Sequence, residues 1–526
     1  MKRLLQQIPY QLKNKGLLIL SAFFFCLLSF SNYTLHNIIT LIGVGYCLYL
    51  SFSSGEKPYT YSRGTQLFAI LFCICMSSQF IIQFVNHAGL VSFASSIMNY
   101  KVAVILCIFV LVPLSYPFVH EAVVLIRSHT FGKWFLKWFD KLVQMENFNV
   151  LIIGLMIVSL VLRMISTLHT TSDDYLVFID WISHYETYGY QGLGIALGDY
   201  YIPQNILLYL MSILPFDIRI NISLFSWIAE YITIYYLYKL IRLYLVEDTE
   251  TNHRKALLTS TLTLYLPMVF MNSSVWKQCD AIYVLFMIMS VYYFLLDKPG
   301  MSFAMMGISF SLKQQAIFLL PYYIIMYVVK RKKGFWYVIW LPIIFFLAGL
   351  PAVILGQSMQ DVYLRFFNQA GMYSMLTFSY PNIYGFEFTH ILNRYYGTLM
   401  KIALLLTTLS FVWIGLTSLA KKNRFDIPTQ ILFAGFVNFT CCMFLPAMHE
   451  RYDYFTILLV VIILLTYDRS WMFPAFLFTI GTFVTYMSYL FHLMFALPPI
   501  SLVYCYLYGL YFYKLFYEPK AERDLT

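Results

Sequence analysis

The chain has 526 residues, of which 60% are hydrophobic and only 11% charged, with a mean hydropathy of +0.70. Soluble domains carry about a quarter charged residues, so water is excluded as the main solvent of this chain. The formal net charge of +10 falls in short Lys and Arg clusters between apolar runs, which excludes a basic nucleic-acid-binding domain and points instead to membrane topology.

Spanning helices need about 20 apolar residues, and cytoplasmic loops collect Lys and Arg. Lys2, Arg3, Lys13 and Lys15 precede the first apolar run, which is read as an uncleaved helix because no small-x-small cleavage site follows. Residues 17–31 and 36–53 form one hairpin and 65–84 and 101–120 a second, returning to Arg127, Lys133, Lys137 and Lys141. Trp134, Phe135, Trp138 and Phe139 alternate with these lysines, so Phe131 to Phe148 reads as an amphipathic helix in the inner interface. Residues 149–168 cross outward to an acidic stretch, and 202–214, too short to span comfortably, is laid in the outer interface. The remaining spans are predicted over 218–241, 256–272, 281–296, 301–312, 316–329, 335–355, 399–419, 427–446, 454–467, 471–491 and 500–517. The expected fold is thus an all-α polytopic membrane protein, a helical bundle of about 16 transmembrane helices with long outer loops and both termini cytoplasmic. Most of the nine cysteines, Cys441 and Cys442 among them, lie inside apolar runs where a thiol acts as a small hydrophobe, so neither a disulfide framework nor a metal cluster is expected.

This topology puts every unusual polar cluster near the membrane on the outer side. Asp173, Asp174 and Asp180, with Trp181 and His184 behind them, read either as solvated loop acids or as supplying a general base, since a carboxylate at the mouth of an apolar cavity is raised towards useful pKa values. Asp199 sits in GDYYIPQN, which is equally turn chemistry or an acceptor-site wall. In NSSVWKQCD, Trp276 suits the C–H face of a sugar ring and Gln278 its hydroxyls, with Asp280 close by; Trp is also an ordinary interface anchor. Lys313, Gln314 and Gln315 interrupt an apolar stretch, as a turn or as a cationic site for phosphate. MHERYD lacks the second His of a zinc protease motif; Arg451 reads as an anion clamp held by Glu450 or Asp453 with His449 as a second donor, or else as a structural salt-bridge cap or a metal-ligand cluster. The outer loop 356–398 adds Gln357, Asp361, Arg365, Gln369 and an aromatic run without individual roles.

The ordered set S-D-D-Y (172–175) with Trp181, G-D-Y (198–200) before Pro203, N-S-x-V-W-x-Q-x-D (272–280), L-K-x-Q-A-I-F-x-x-P (312–321), P-N-I-Y-G (381–385) and M-H-E-R-Y (448–452) resembles the polyprenyl-phosphate-dependent GT-C glycosyltransferases, in the bacterial branch related to GPI mannosyltransferase II. The resemblance covers roughly 149–467. It implies a GT-C-like catalytic module there, with 1–148 an N-terminal four-helix membrane extension and 468–526 C-terminal membrane helices with a cytoplasmic tail. It also implies an inverting transfer of a mannose-, glucose- or galactose-like sugar from a polyprenyl-phosphate carrier to an envelope glycan or glycolipid on the extracytoplasmic face of the cell membrane. Asp174, or Asp173 beside it, would be the base. Lys313, Arg451 and His449 would lie at the donor phosphate, and Asp180, Trp181, Asp199, Trp276, Gln278, Asp280, Gln315, Glu450 and Tyr452 at the sugar or acceptor. No nucleotide is implied, and divalent-metal dependence varies within the class. Lys277 stands where the family usually has a small Gly, which would narrow the pocket or add a phosphate contact. The rival classes are a transporter or flippase of lipid-linked saccharides and a non-catalytic scaffold of an envelope-assembly complex.

Overall fold

The computed structural model describes residues 132–168, 172–368, 374–385, 395–491 and 497–518, all within one compact unit, Gly132–Thr526. The four spans expected before residue 121, Gln369 and the C-terminal tail lie outside the described residues. The chain is mostly helical (80%), and among the described residues the one sheet is a pair of two-residue strands.

Helix α1 (Lys133–Val143) is amphipathic and leads through a short turn into α2 (Phe148–Thr167), the first long apolar helix among the described residues. The acidic stretch folds into α3 (Asp173–Tyr188) and α4 (Ile202–Ser212), which pack through Phe178, Ile182, Tyr185, Leu208 and Met211. Then come α5 (Ile218–Arg242) and α6 (Glu250–Leu262). The span expected over 256–272 is not one continuous helix. After Leu262 the chain passes a tight turn, restarts at Pro267 and widens into a π-turn at Met271–Val275 before α7 (Asp280–Leu295) begins. Pro267 offers no amide hydrogen to continue the ladder, and π-turns of this kind concentrate at functional sites.

Beyond lie α8 (Pro299–Leu312), α9 (Leu320–Lys330), α10 (Trp340–Ile354), α11 (Met359–Asn368), α12 (Tyr396–Ala420), α13 (Ile427–Phe444), α14 (Tyr454–Thr466), α15 (Met472–Phe491) and α16 (Leu497–Phe516). The expected outer loop 356–398 therefore contains a helix, α11. Strand β1 (Thr377–Phe378) pairs in parallel with β2 (Met448–His449).

Among the described residues, five helical segments are long and apolar enough to cross a membrane by length and composition: Phe148–Thr167, Phe335–Ile354, Tyr396–Ala420, Ile427–Phe444 and Arg469–Phe491. Their burial separates centre from rim. Ile427–Phe444 is 89% buried, whereas Phe148–Thr167, Phe335–Ile354 and Tyr396–Ala420 are 22%, 17% and 22% buried, their outer faces apolar as a lipid-facing helix requires.

A buried ion pair ties the first of these apolar helices to α5. Arg163 of α2 is fully buried and donates from Nε to Glu230 of α5 at 2.6 Å, while its other nitrogens donate to Ser159 Oγ, the Ser159 carbonyl and the Leu264 carbonyl. Every nitrogen is thus occupied, the condition under which a buried charge is tolerated. Removing one partner of such a pair costs about 3–5 kcal/mol, and replacing both by apolar residues costs far less. Arg163→Met alone is therefore expected to lower the thermal stability of the detergent-solubilised protein sharply, and Arg163→Met with Glu230→Leu to recover most of it; equal melting of the two variants would show the pair to be inert.

Candidate functional site

The π-turn creates the site. Trp276 N bonds back to the Met271 carbonyl at 2.9 Å and Gln278 N to the Asn272 carbonyl at 2.9 Å, so the chain reverses and delivers Trp276, Gln278 and Asp280 together. Hydroxyls of neighbouring helices take the freed backbone carbonyls: Ser223 bonds Ser273, Ser226 bonds Gln278, Ser172 bonds Trp276 and Thr167 bonds Ser274. Irregular backbone this deep persists only when satisfied by protein in this way.

Lys277, between Trp276 and Gln278, has φ +68, a left-handed conformation that favours Gly. Its side chain points away from the cluster, where its ammonium donates to Thr167 Oγ1, Ser223 Oγ and the Arg219 carbonyl at 3.1 Å each, and to the Thr167 carbonyl at 3.4 Å. The structure thereby corrects the expectation that Lys277 narrows the pocket or meets a phosphate. Burial, then the nearby Arg219, pushes this ammonium down to about 7.

At the centre is Asp280, fully buried at the start of α7, where the helix dipole favours negative charge. One carboxylate oxygen accepts from Lys313 Nζ. The other accepts from Asn272 Nδ2 at 2.9 Å and lies 3.3 Å from Arg451 Nε. Lys313 is placed by the break between α8 and α9, which leaves it in extended backbone. Arg451 lies over the Trp276 ring at 4.8 Å, a cation–π contact in a desolvated setting. Trp276 in turn stacks on Tyr489 at 4.5 Å and meets Tyr486 edge-on at 5.1 Å.

Asp174, on the first turn of α3, reaches this cluster. Its Oδ2 accepts from Trp276 Nε1 at 2.7 Å and from Gln278 Nε2 at 2.9 Å. Asp173 opens the same helix; its side chain lies outside the described set. Glu450 is buried, 3.8 Å from Arg451 Nη1 and 4.0 Å from His449 Nδ1. Two cations face Asp174 and Asp280, leaving Glu450 as the odd carboxyl. Burial pushes it up to about 7 against the pull of Arg451. Burial, then Arg451 and Lys313, pushes His449 down to about 2, so His449 is a neutral hydrogen-bonding group and adds no charge. It stacks on Phe378 across the β1–β2 pair at 4.8 Å. Gln315 Nε2 donates to Tyr452 OH at 2.7 Å.

The remaining expected residues are not all brought here. Asp180 is exposed on α3, away from the cluster. Trp181 belongs to an aromatic group with Phe178 and Tyr200 at 5.7 and 5.6 Å, and Gly198, at φ +57, passes so close to its ring that a Cβ would lie 2.4 Å from it. That is a steric reason for glycine beside Asp199. Asn382 and Tyr384 of P-N-I-Y-G bond the carbonyls of Cys442, Leu445 and Phe444, so this motif closes the end of α13 and steadies the turn into His449. Asp453, expected as a partner of Arg451, instead accepts from Tyr504 at 3.1 Å and Thr482 at 3.2 Å, and burial pushes it up to about 7. The two polar stretches expected as outer loops do meet: Gln357 bonds the carbonyls of Leu193 and Ile195, and Tyr201 packs on Phe366 as well as on Phe345 of α10.

Asn272, Tyr486 and Tyr489 belong to the site and were not singled out from sequence. The tyrosines have a helical i, i+3 spacing but no mark separating them from the chain's other aromatics. Among the described residues no group of three or more His, Cys, Asp or Glu side chains is arranged to hold a metal ion. No protein-family model and no curated protein matches the chain.

Glu450 yields a pH prediction. Its folded pKa of about 7 stands above the ordinary 4.5, so the folded state binds the extra proton. Its stabilising contribution is full below pH 4.5 and is lost as pH rises through 7, worth about 3 kcal/mol at most. Thermal melts of wild type against Glu450→Gln are expected to show the wild type losing ground steadily over that window, whereas parallel pH profiles would place the proton elsewhere.

Proposed function

We propose that the chain is an inverting membrane glycosyltransferase of GT-C type that moves a hexose-like monosaccharide from a polyprenyl-phosphate carrier to a cell-envelope acceptor. The proposed setting is a bundle of about sixteen spans with both termini cytoplasmic and the site on the extracytoplasmic face. The observation that carries the reading is the convergence of Asp174 with Lys313, Arg451, Trp276 and Gln278, from four separate segments of chain, around one buried carboxylate.

Each part has a task in such a transfer. Asp174, oriented by two hydrogen bonds on one oxygen, takes the proton of the acceptor hydroxyl as that oxygen attacks the anomeric carbon; the bond to the carrier phosphate breaks on the opposite side. Lys313 and Arg451 receive the negative charge that develops on the departing polyprenyl phosphate. Asp280 fixes both cations beforehand, so no reorganisation is needed at the moment of reaction, which is the arrangement that makes electrostatic stabilisation effective. The Trp276 ring and the Gln278 amide match a sugar's C–H face and hydroxyls.

Asp174→Asn keeps the shape and the accepting oxygen but loses the base. Turnover with a synthetic polyprenyl-phospho-sugar and an envelope acceptor is expected to fall by about 10²–10⁴ while donor affinity changes little. Undiminished transfer by this variant would remove Asp174 as base. A wild-type protein that moves the lipid-linked sugar across a bilayer without transferring it would replace the enzyme by a flippase, and inactivity in both assays with every lipid donor offered would favour a scaffold.

A further inference from the structure

Helix α1 uses two opposite faces. Leu136, Phe139 and Val143 recur at helical spacing and are buried against the body of the protein. The helix is also pinned by charge: Asp140 pairs with Arg469 at 2.6 Å, and Arg254 donates to the carbonyls of Val143 and Met145 at the helix end. Opposite that face, Trp134, Lys137, Trp138 and Lys141 follow the i, i+3, i+4, i+7 pattern, and all four are exposed, the two tryptophans at 76% and 46%. Two large indoles left outside a well-anchored helix need a partner surface.

Position and charge identify that surface. Four residues after α1 ends, Phe148 starts α2, whose exposed side is a continuous apolar face carrying Val150, Ile153, Ile157 and Val161. A helix tethered this closely to the end of an apolar, membrane-length helix lies at the level of the headgroups. There indoles favour the boundary between acyl chains and water, and ammonium groups meet lipid phosphates. Asp140, the helix's own acid, is neutralised by Arg469, so the outward face carries the charge of Lys137 and Lys141; the next exposed acid along the chain, Glu146, lies beyond the helix in the turn. The geometry points to the Trp134–Lys137–Trp138–Lys141 face as a binding surface for anionic phospholipid headgroups of the leaflet in which α2 begins. This surface is independent of the glycosyltransferase reading, because it needs only the bilayer.

The test uses the full chain in nanodiscs whose phosphatidylglycerol or phosphatidylcholine carries bromine, a short-range quencher of indole fluorescence. Two lysines near the headgroups favour the anionic lipid locally by roughly tenfold or more at low salt, an excess that salt screens. Brominated phosphatidylglycerol is therefore expected to quench more than brominated phosphatidylcholine. The excess should vanish in Trp134→Phe/Trp138→Phe, and in Lys137→Glu/Lys141→Glu while the overall quenching by phosphatidylcholine persists. Equal quenching of wild type by the two lipids would overturn the proposal. So would a wild-type signal unchanged by loss of both tryptophans, which would mean that another part of the chain, such as residues 1–131, covers this face. Size-exclusion profiles matching wild type confirm that each variant is folded.

Discussion

The cluster is organised by one carboxylate. Asp280 simultaneously holds Lys313, Arg451 and Asn272, and it does so with no exposure to water. In a medium of low dielectric an ammonium and a guanidinium this near each other would repel strongly without the negative charge between them. Asp280 therefore permits the two cations to share the site, and their fixed positions in turn determine where Trp276 lies beneath Arg451 and where Asp174 can reach Trp276 and Gln278. The dipole of α7 supports the same charge, which explains why the carboxylate stands at the first residue of a helix and not in its middle.

Much of the helical framework was legible in the sequence because long apolar runs bounded by Lys and Arg leave few alternatives. Helices α2, α5, α12, α13 and α15 start and end close to where hydropathy and charge put them. The break at 263–279 was legible only in hindsight: Pro267 was visible, but the π-turn depends on hydroxyls from helices far away in sequence, and no local pattern announces such a partnership. Helix α11 was hidden for a related reason, since a short amphipathic helix resting on aromatics reads as loop when its neighbours are unknown.

The site followed the same division. Trp276, Gln278, Lys313 and Arg451 stood out because polar groups interrupting apolar runs are costly. By that same criterion Arg163 and Glu230 were visible as well, yet each stands far from any opposite charge along its own helix, and only the fold shows that they pay for one another. Asp180 and Asp453 do not join the cluster around Asp280, for opposite reasons. Asp180 is on the wrong side of α3, six positions from Asp174 on a helix of 3.6 residues per turn, and Asp453 turns inward to hydroxyls of α15 and α16. Sequence spacing gives proximity along the chain; it does not tell which way a side chain leaves the backbone.

One stripe of α5 joins the two buried charge networks. Ser223, Ser226, Trp227 and Glu230 follow helical spacing, and each meets the interrupted segment or its support: Ser223 the Ser273 carbonyl and Lys277, Ser226 the Gln278 carbonyl, Trp227 the Ser274 hydroxyl, Glu230 the guanidinium of Arg163. Arg163 closes the circuit by bonding the Leu264 carbonyl, in the tight turn just after α6 ends. The left-handed Lys277 fits this scheme. A glycine would adopt that conformation at less cost, but it could not spread an ammonium across α2 and α5 behind the turn that presents Trp276 and Gln278. The buried ion pair and the strained lysine thus act from the rear on the segment whose front carries the candidate site, and the stiffness of that segment is a property of α2 and α5 as much as of its own sequence.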